Sequence, residues 1–141
     1  MLTGSADNVM ADVAATLTAV AGRPVGINFL LPFFERAVLE AVAPHVRLVD
    51  FFWGWPDPGL VGIAHEAGAL AGWQIGTRDE AVAAADAGCD LIIAQGIEAG
   101  GHLRGTIALL PLLDEVLGAV GVPVIAAGGI GIGRASCRER V

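Results

Sequence analysis

The chain has 141 residues, of which 55% are hydrophobic, enough for one globular domain with a real core. All eight basic residues are Arg, and the net charge of −7 excludes a nucleic-acid surface, which needs a basic stripe. The opening "MLTGSADNVM" is polar, so no signal peptide is read there.

In chain order, Asp7–Ala21 reads as a helix, followed by a strand at Pro24–Leu30 ("PVGINFL") and a helix at Phe34–Ala43. A strand at Arg47–Trp53 ("RLVDFFW") and a helix at Pro58–Ala67 come next. Then follow a strand at Ala69–Gly76 ("ALAGWQIG"), a helix at Arg78–Ala87 and a strand at Asp90–Gln95 ("DLIIAQ"). A helix at Thr106–Val120 and a strand at Pro123–Ala127 ("PVIAA") complete the series. Short apolar runs without alternation suit strands covered on both faces, as in parallel sheets. In "TRDEAVAAADAG", Thr77 caps the helix, Asp79 and Glu80 complement its dipole, and Gly88 ends it.

Landmarks Val25, Leu48, Leu70 and Leu91 stand 23, 22 and 21 residues apart, and Val124 follows 33 residues later. Strand–helix repetition at that spacing means parallel βα units, either an open doubly wound sheet or a (β/α)8 barrel. A full TIM barrel takes roughly 250 residues and eight strands. The expectation is therefore an α/β fold: a partial (β/α)8 TIM barrel of about five βα units, with the first strands and the last strand missing. Val116–Gly133 carries no charge, but Pro123 and six Gly break it into helix end, strand and loop, not a membrane span.

The last ten residues, "IGRASCRERV", change character. One reading frame of a common short-read sequencing adapter encodes all ten. The expected organisation is a partial barrel domain over residues 1–131 and a non-native tail over 132–141. Without that tail, five Arg face 14 acidic residues and the net charge becomes −9. Cys137 falls in the tail, and Cys89 reads as a small buried hydrophobe. With no metal-type spacing, no metal is expected, and sparse cysteine fits a reducing cytoplasm.

In both architectures ligand chemistry gathers beyond the C-terminal ends of the strands. "AQGIEAGGHLRG" (Ala94–Gly105) leaves the fourth strand there, and the Gly128–Gly129 pair leaves the fifth. Glycine pairs suit a phosphate or ring lying against backbone N–H groups, and equally suit ordinary turns. His102, beside Gly100 and Gly101, is the acid–base candidate. Glu98 is read as orienting His102 or as an exposed carboxylate, and Arg104 as attracting an anion or solvating the loop. Trp53 and Trp55 stand near the mouth of an apolar pocket, whereas His45 and His65 read as structural and outward-facing. No Ser-centred elbow or HExxH supports a hydrolase.

"GCDLIIAQGIEAGGHLRG", "LLPLLDEV" and "VPVIAAGGIG", with "GINFL" and "VDFFWG" upstream, resemble the nitronate monooxygenase (2-nitropropane dioxygenase-like) family over Pro24–Gly131. The resemblance implies an FMN-binding barrel in which Asn28, Gln95, Gly100, Gly101, Gly128 and Gly129 contact FMN and His102 is the catalytic base. It further implies oxidation of alkyl nitronates and nitroalkanes by O2 to a carbonyl compound and nitrite. The resemblance points to small-molecule substrates, with no nucleic-acid or membrane partner and no defined oligomeric state. The FMN-dependent enoyl-ACP reductase shares the barrel and a similar glycine–histidine turn and is the alternative reading. A further alternative is a non-catalytic truncated fragment that binds FMN poorly.

Overall fold

The computed structural model describes residues 6–131, so the expected non-native tail lies outside the described residues. A helix, α1 (Ala6–Ala19), precedes β1 (Gly26–Leu30), α2 (Arg36–Val42), β2 (Leu48–Phe52) and α3 (Pro58–Glu66). The chain continues through β3 (Leu70–Ile75), α4 (Arg78–Asp86), β4 (Leu91–Gln95), α5 (Leu109–Leu117) and β5 (Val124–Ala127). Every element expected from sequence is present.

The boundaries have local causes. Ala21 (φ 51°) and Gly22 (φ 80°) turn left-handed and stop α1. Thr77 Oγ1 accepts from Glu80 N at 3.3 Å, and Gly88 adopts φ 93° just past α4, as the sequence pattern requires. The expected helix Thr106–Val120 is shorter: Ala108 is extended, and α5 starts at Leu109 with Pro111 in its first turn, where a missing N–H costs nothing.

All five strands are parallel, in the order β1-β2-β3-β4-β5. A doubly wound sheet reverses its strand order at a switch point, and this sheet does not. Right-handed crossovers running one way place every helix on one face, where α1 meets α2, α2 meets α3, and α4 meets α5. This is the winding of a (β/α)8 barrel, here with four βα units and a fifth strand among the described residues, preceded by α1.

The core lies between the sheet and those helices. The hydrogen-bonded row Phe29, Phe51, Trp73, Ile92 points to the helix side, and the last three are fully buried. Phe29, Phe51 and Trp73 pack in a file, with ring centroids 6.2 and 5.0 Å apart. Each such ring contributes about 2–3 kcal/mol by leaving water. Cys89 is buried as expected, and its thiol is pushed up to about 12 by burial and then by Asp90 and Asp50.

The other face of the sheet carries Asn28, Asp50, Gln74 and Gln95 among aliphatic residues. Ile125 on this face is 48% exposed. Among the described residues no helix is long and apolar enough to cross a membrane.

Trp73 Nε1 also donates to Gly54 O at 3.2 Å, tying the loop after β2 to β3. Trp73→Phe keeps an aromatic ring but leaves that carbonyl unbonded and the site underpacked. The expected loss is about 2 kcal/mol, read from the urea unfolding midpoint.

Candidate functional site

Three loops meet beyond the C-terminal ends of β2, β3 and β4. The loop after β4 is fixed first by Gln95, whose Nε2 donates to His102 O at 3.1 Å and folds the turn back over its own strand. The His102 ring stands edge-on to Trp53, with centroids 4.9 Å apart and planes at 89°. Trp53 follows β2 with φ 66°, a left-handed conformation rare for a bulky residue and costing on the order of 1 kcal/mol or more. That strain aims the indole across the end of β3 at the turn of β4.

A second tether holds the far end of the same loop. Glu80, 5% exposed, accepts from Gly76 N at 2.9 Å and pairs with Arg104. Beneath this pair the Gly76 and Gly105 backbones touch. A Cβ on Gly76 would lie 2.5 Å from Gly105 N, and one on Gly105 would lie 2.4 Å from Gly76 O. Only glycine allows that approach. Arg104 is thus a buried carboxylate's partner, not a free anion receptor or a solvating group.

Glu98 is likewise structural. Its Oε2 accepts from Leu109 N at 2.9 Å, which caps α5 from outside the helix and explains how that helix starts without a capping side chain of its own. Gly128 (φ 100°) and Gly129 (φ 66°) close the loop from the β5 side, where added Cβ atoms would lie 2.8 Å from the Cβ atoms of Ala99 and Glu98. Their glycine identity therefore follows from packing and conformation. Gly100 and Gly101 differ: nothing lies within 4 Å of a Cβ placed on either, so the backbone beside His102 faces open space.

Asn28 is not drawn to the His102 turn. Its hydrogen-bonded row, Asn28–Asp50–Gly72–Leu91, reaches β4 four residues before Gln95. Its partner is Asp50, whose Oδ2 accepts from Asn28 Nδ2 at 2.6 Å. Asp50, a residue the sequence reading passed over, is 7% exposed in the middle of β2. Burial pushes its carboxyl up to about 6, against the lowering effect of the Asn28 bond and then of the Phe51 N–H. Trp55 is 60% exposed and turned outward. His65, expected to face outward, is half-exposed and bonds Asp90 Oδ2 at 2.9 Å near the starts of β3 and β4, away from this rim.

Three buried polar atoms have no hydrogen-bond partner among the described residues: Asp50 Oδ1, Trp53 Nε1 and Gln95 Oε1. Each such atom costs about 1–3 kcal/mol unless a ligand bonds it. Trp53 Nε1 and Gln95 Oε1 lie at the C-terminal ends of β2 and β4, where the glycine turns and the imidazole lie, whereas Asp50 Oδ1 sits deeper, in the middle of β2.

The sequential parallel strand order and the one-way winding define an α/β protein of the (β/α)8-barrel type, with the glycine turns and His102 gathered beyond the C-terminal ends of its strands. The nitronate monooxygenase family model matches residues 2–135, and the chain belongs to that family. Rv1533 of Mycobacterium tuberculosis is 47% identical over 110 residues, covering 77% of this chain and 29% of its own length. Nitroalkane oxidase from Streptomyces ansochromogenes superimposes with a TM-score of 0.78 at 31% identity, over 89% of this chain and 48% of that one. FabK from Thermotoga maritima superimposes with a TM-score of 0.82 at 28% identity, over 94% and 42%. The chain therefore spans less than half the length of each of these proteins.

Two substitutions test these tethers. Glu80→Gln leaves Arg104 unpaired and is expected to cost about 2 kcal/mol in urea unfolding, Arg104 being partly solvated. Asp50 has an ordinary carboxyl value of 3.8 unfolded and about 6 folded, so its burial cost is absent near pH 4, grows to pH 6 and is complete above. Asp50→Asn is expected to raise stability at pH 7.5, by on the order of 2–3 kcal/mol at most, and to leave it unchanged at pH 4 in thermal melts.

Proposed function

We propose that the complete protein is an FMN-dependent enzyme that oxidises alkyl nitronates and nitroalkanes with O2 to a carbonyl compound and nitrite, with His102 as the base. The observation that carries this reading is the His102 imidazole, edge-on to Trp53 and beside open glycine backbone, with the unbonded Gln95 Oε1 and Trp53 Nε1 at the same end of the strands. Membership of the nitronate monooxygenase family and similarity to a nitroalkane oxidase support it.

The residues fit a flavin. Gln95 Oε1 is an acceptor and Trp53 Nε1 is a donor, a mixed pair that suits a ring system bearing both carbonyl oxygens and N–H groups. Gly100 and Gly101 leave room for a planar ligand against the backbone. Gly128 and Gly129, whose left-handed backbone exposes N–H groups, are the candidates for the phosphate end. Asn28 and Gln95 would line the ring and its chain.

Bound FMN supplies the electron acceptance and O2 chemistry that side chains lack. The protein's own task is the proton. A neutral nitroalkane must lose its α-hydrogen as H+, the C–H electron pair staying on the nitronate, and an imidazole accepts that proton near neutral pH. Gln95 holds the backbone of the base through His102 O, and Trp53 packs edge-on against one side of the exposed imidazole. A nitronate needs no deprotonation.

His102→Asn in the complete enzyme is expected to lower kcat/KM for a neutral nitroalkane at least 100-fold while sparing a preformed nitronate, measured as oxygen uptake. Equal turnover of the nitroalkane by the variant contradicts the assignment. Oxidation of NADH with a crotonyl thioester, in place of oxygen uptake with propionate-3-nitronate, supports the enoyl-ACP reductase reading instead.

A further inference from the structure

The proposed chemistry leaves one buried group unexplained, the Asp50 carboxyl in the middle of β2. A charged side chain 7% exposed on a sheet face is costly and needs partners. Asp50 has only part of what it needs. Oδ2 takes the amide hydrogen of Asn28 at 2.6 Å, and Oδ1 is buried with no partner among the described residues.

The surroundings make the Asn28 orientation a chemical necessity. A carboxylate only accepts hydrogen bonds, so the amide of Asn28 must turn its NH2 toward Asp50. The same Nδ2 lies 3.5 Å from Asp50 O, a second acceptor on the same side. Asn28 Oδ1 is then the atom left to face the open side of the sheet, where Asn28 itself is exposed. Gly72 keeps this side clear, since a Cβ there would meet Leu91 at 2.9 Å and Asp50 Oδ1 at 3.4 Å. Among the described residues no charged group contributes to the balance at Asp50, which burial, Asn28 and the Phe51 N–H set between them. The Cys89 thiol, the ionisable group that feels the Asp50 charge, stays neutral at about 12.

We propose that Asp50 is a positioning residue that locks the Asn28 amide so that Asn28 Oδ1 accepts a donor N–H or O–H of the bound flavin. This rests on the flavin reading above. Asp50 makes no contact with the substrate in this role. It acts through Asn28, and with Asp50 protonated the amide is free to turn and present NH2 instead of oxygen.

A double-mutant cycle tests the coupling. FMN dissociation constants are measured by fluorescence quenching for the complete wild-type protein, Asp50→Asn, Asn28→Ala and the double variant, at pH 7.5 and pH 5. At pH 7.5, Asp50→Asn is expected to weaken FMN roughly fivefold when Asn28 is present and less than twofold in the Asn28→Ala background, the size of one displaced neutral hydrogen bond. At pH 5 the coupling is expected to vanish. Effects of pH common to all four proteins cancel from the cycle. If Asp50→Asn does not fold, Asp50→Ser replaces it, because a hydroxyl can donate as well as accept. Repeating the cycle with lumiflavin, which keeps the ring N–H and lacks the ribityl chain, separates the two donors: retained coupling assigns the ring N–H, lost coupling a ribityl hydroxyl. Equal weakening in both Asn28 backgrounds overturns the positioning role and leaves the flavin reading intact. No FMN binding by the wild-type protein overturns both.

Discussion

The structure turns on the buried Glu80 carboxylate, which joins a backbone N–H at the end of β3 to the guanidinium of Arg104 in the loop after β4. A buried carboxylate that lost either partner would be left uncompensated, so the pair holds the loop to the scaffold. The contact of Gly76 with Gly105 fixes the distance between the two segments, and the Gln95–His102 bond fixes the other end of the loop. With both ends held, Gly100 and Gly101 give the loop open space and conformational freedom beside the exposed His102. Held in this way, His102 meets the Trp53 indole edge-on.

The same economy separates the two faces of the sheet. The helix side is filled by Phe51, Trp73 and Ile92, whose packing supplies stability and leaves no room for chemistry. The opposite face carries Asn28, Asp50, Gln74 and Gln95, and three buried polar atoms in the β2–β4 region remain unbonded. A stable fold tolerates that cost where a ligand repays it. Near the other end of the strands, Asp90 satisfies both His65 and Ala71 N, and its carboxyl is held low by those bonds despite some burial. Polar groups are thus satisfied near the starts of β3 and β4, whereas the unbonded atoms run from the middle of β2 to the ends of β2 and β4.

Much of the fold was legible in the sequence because each βα unit announces itself locally. Apolar runs such as "DLIIAQ" need no partner to be recognised as buried strands, and Thr77 with Gly88 brackets α4 by capping chemistry alone. The spacing of the strands left a doubly wound sheet open as an alternative, and only the sequential strand order removes it. The site was less legible. Glu98, Arg104 and His65 looked like loose polar groups because their partners, Leu109 N, Glu80 and Asp90, lie 11 to 25 residues away. Asp50 gave no signal in "RLVDFFW", since a parallel strand has no alternation against which one carboxylate stands out. Its meaning depends on Asn28, 22 residues upstream.

A crystal structure of the complete protein purified with its cofactor tests the central claim most directly. The account predicts a flavin at the C-terminal rim, its ring in contact with the His102 imidazole and bonded to Gln95 Oε1. A flavin seated at the opposite end of the strands, or a non-flavin ligand filling that rim, would contradict it.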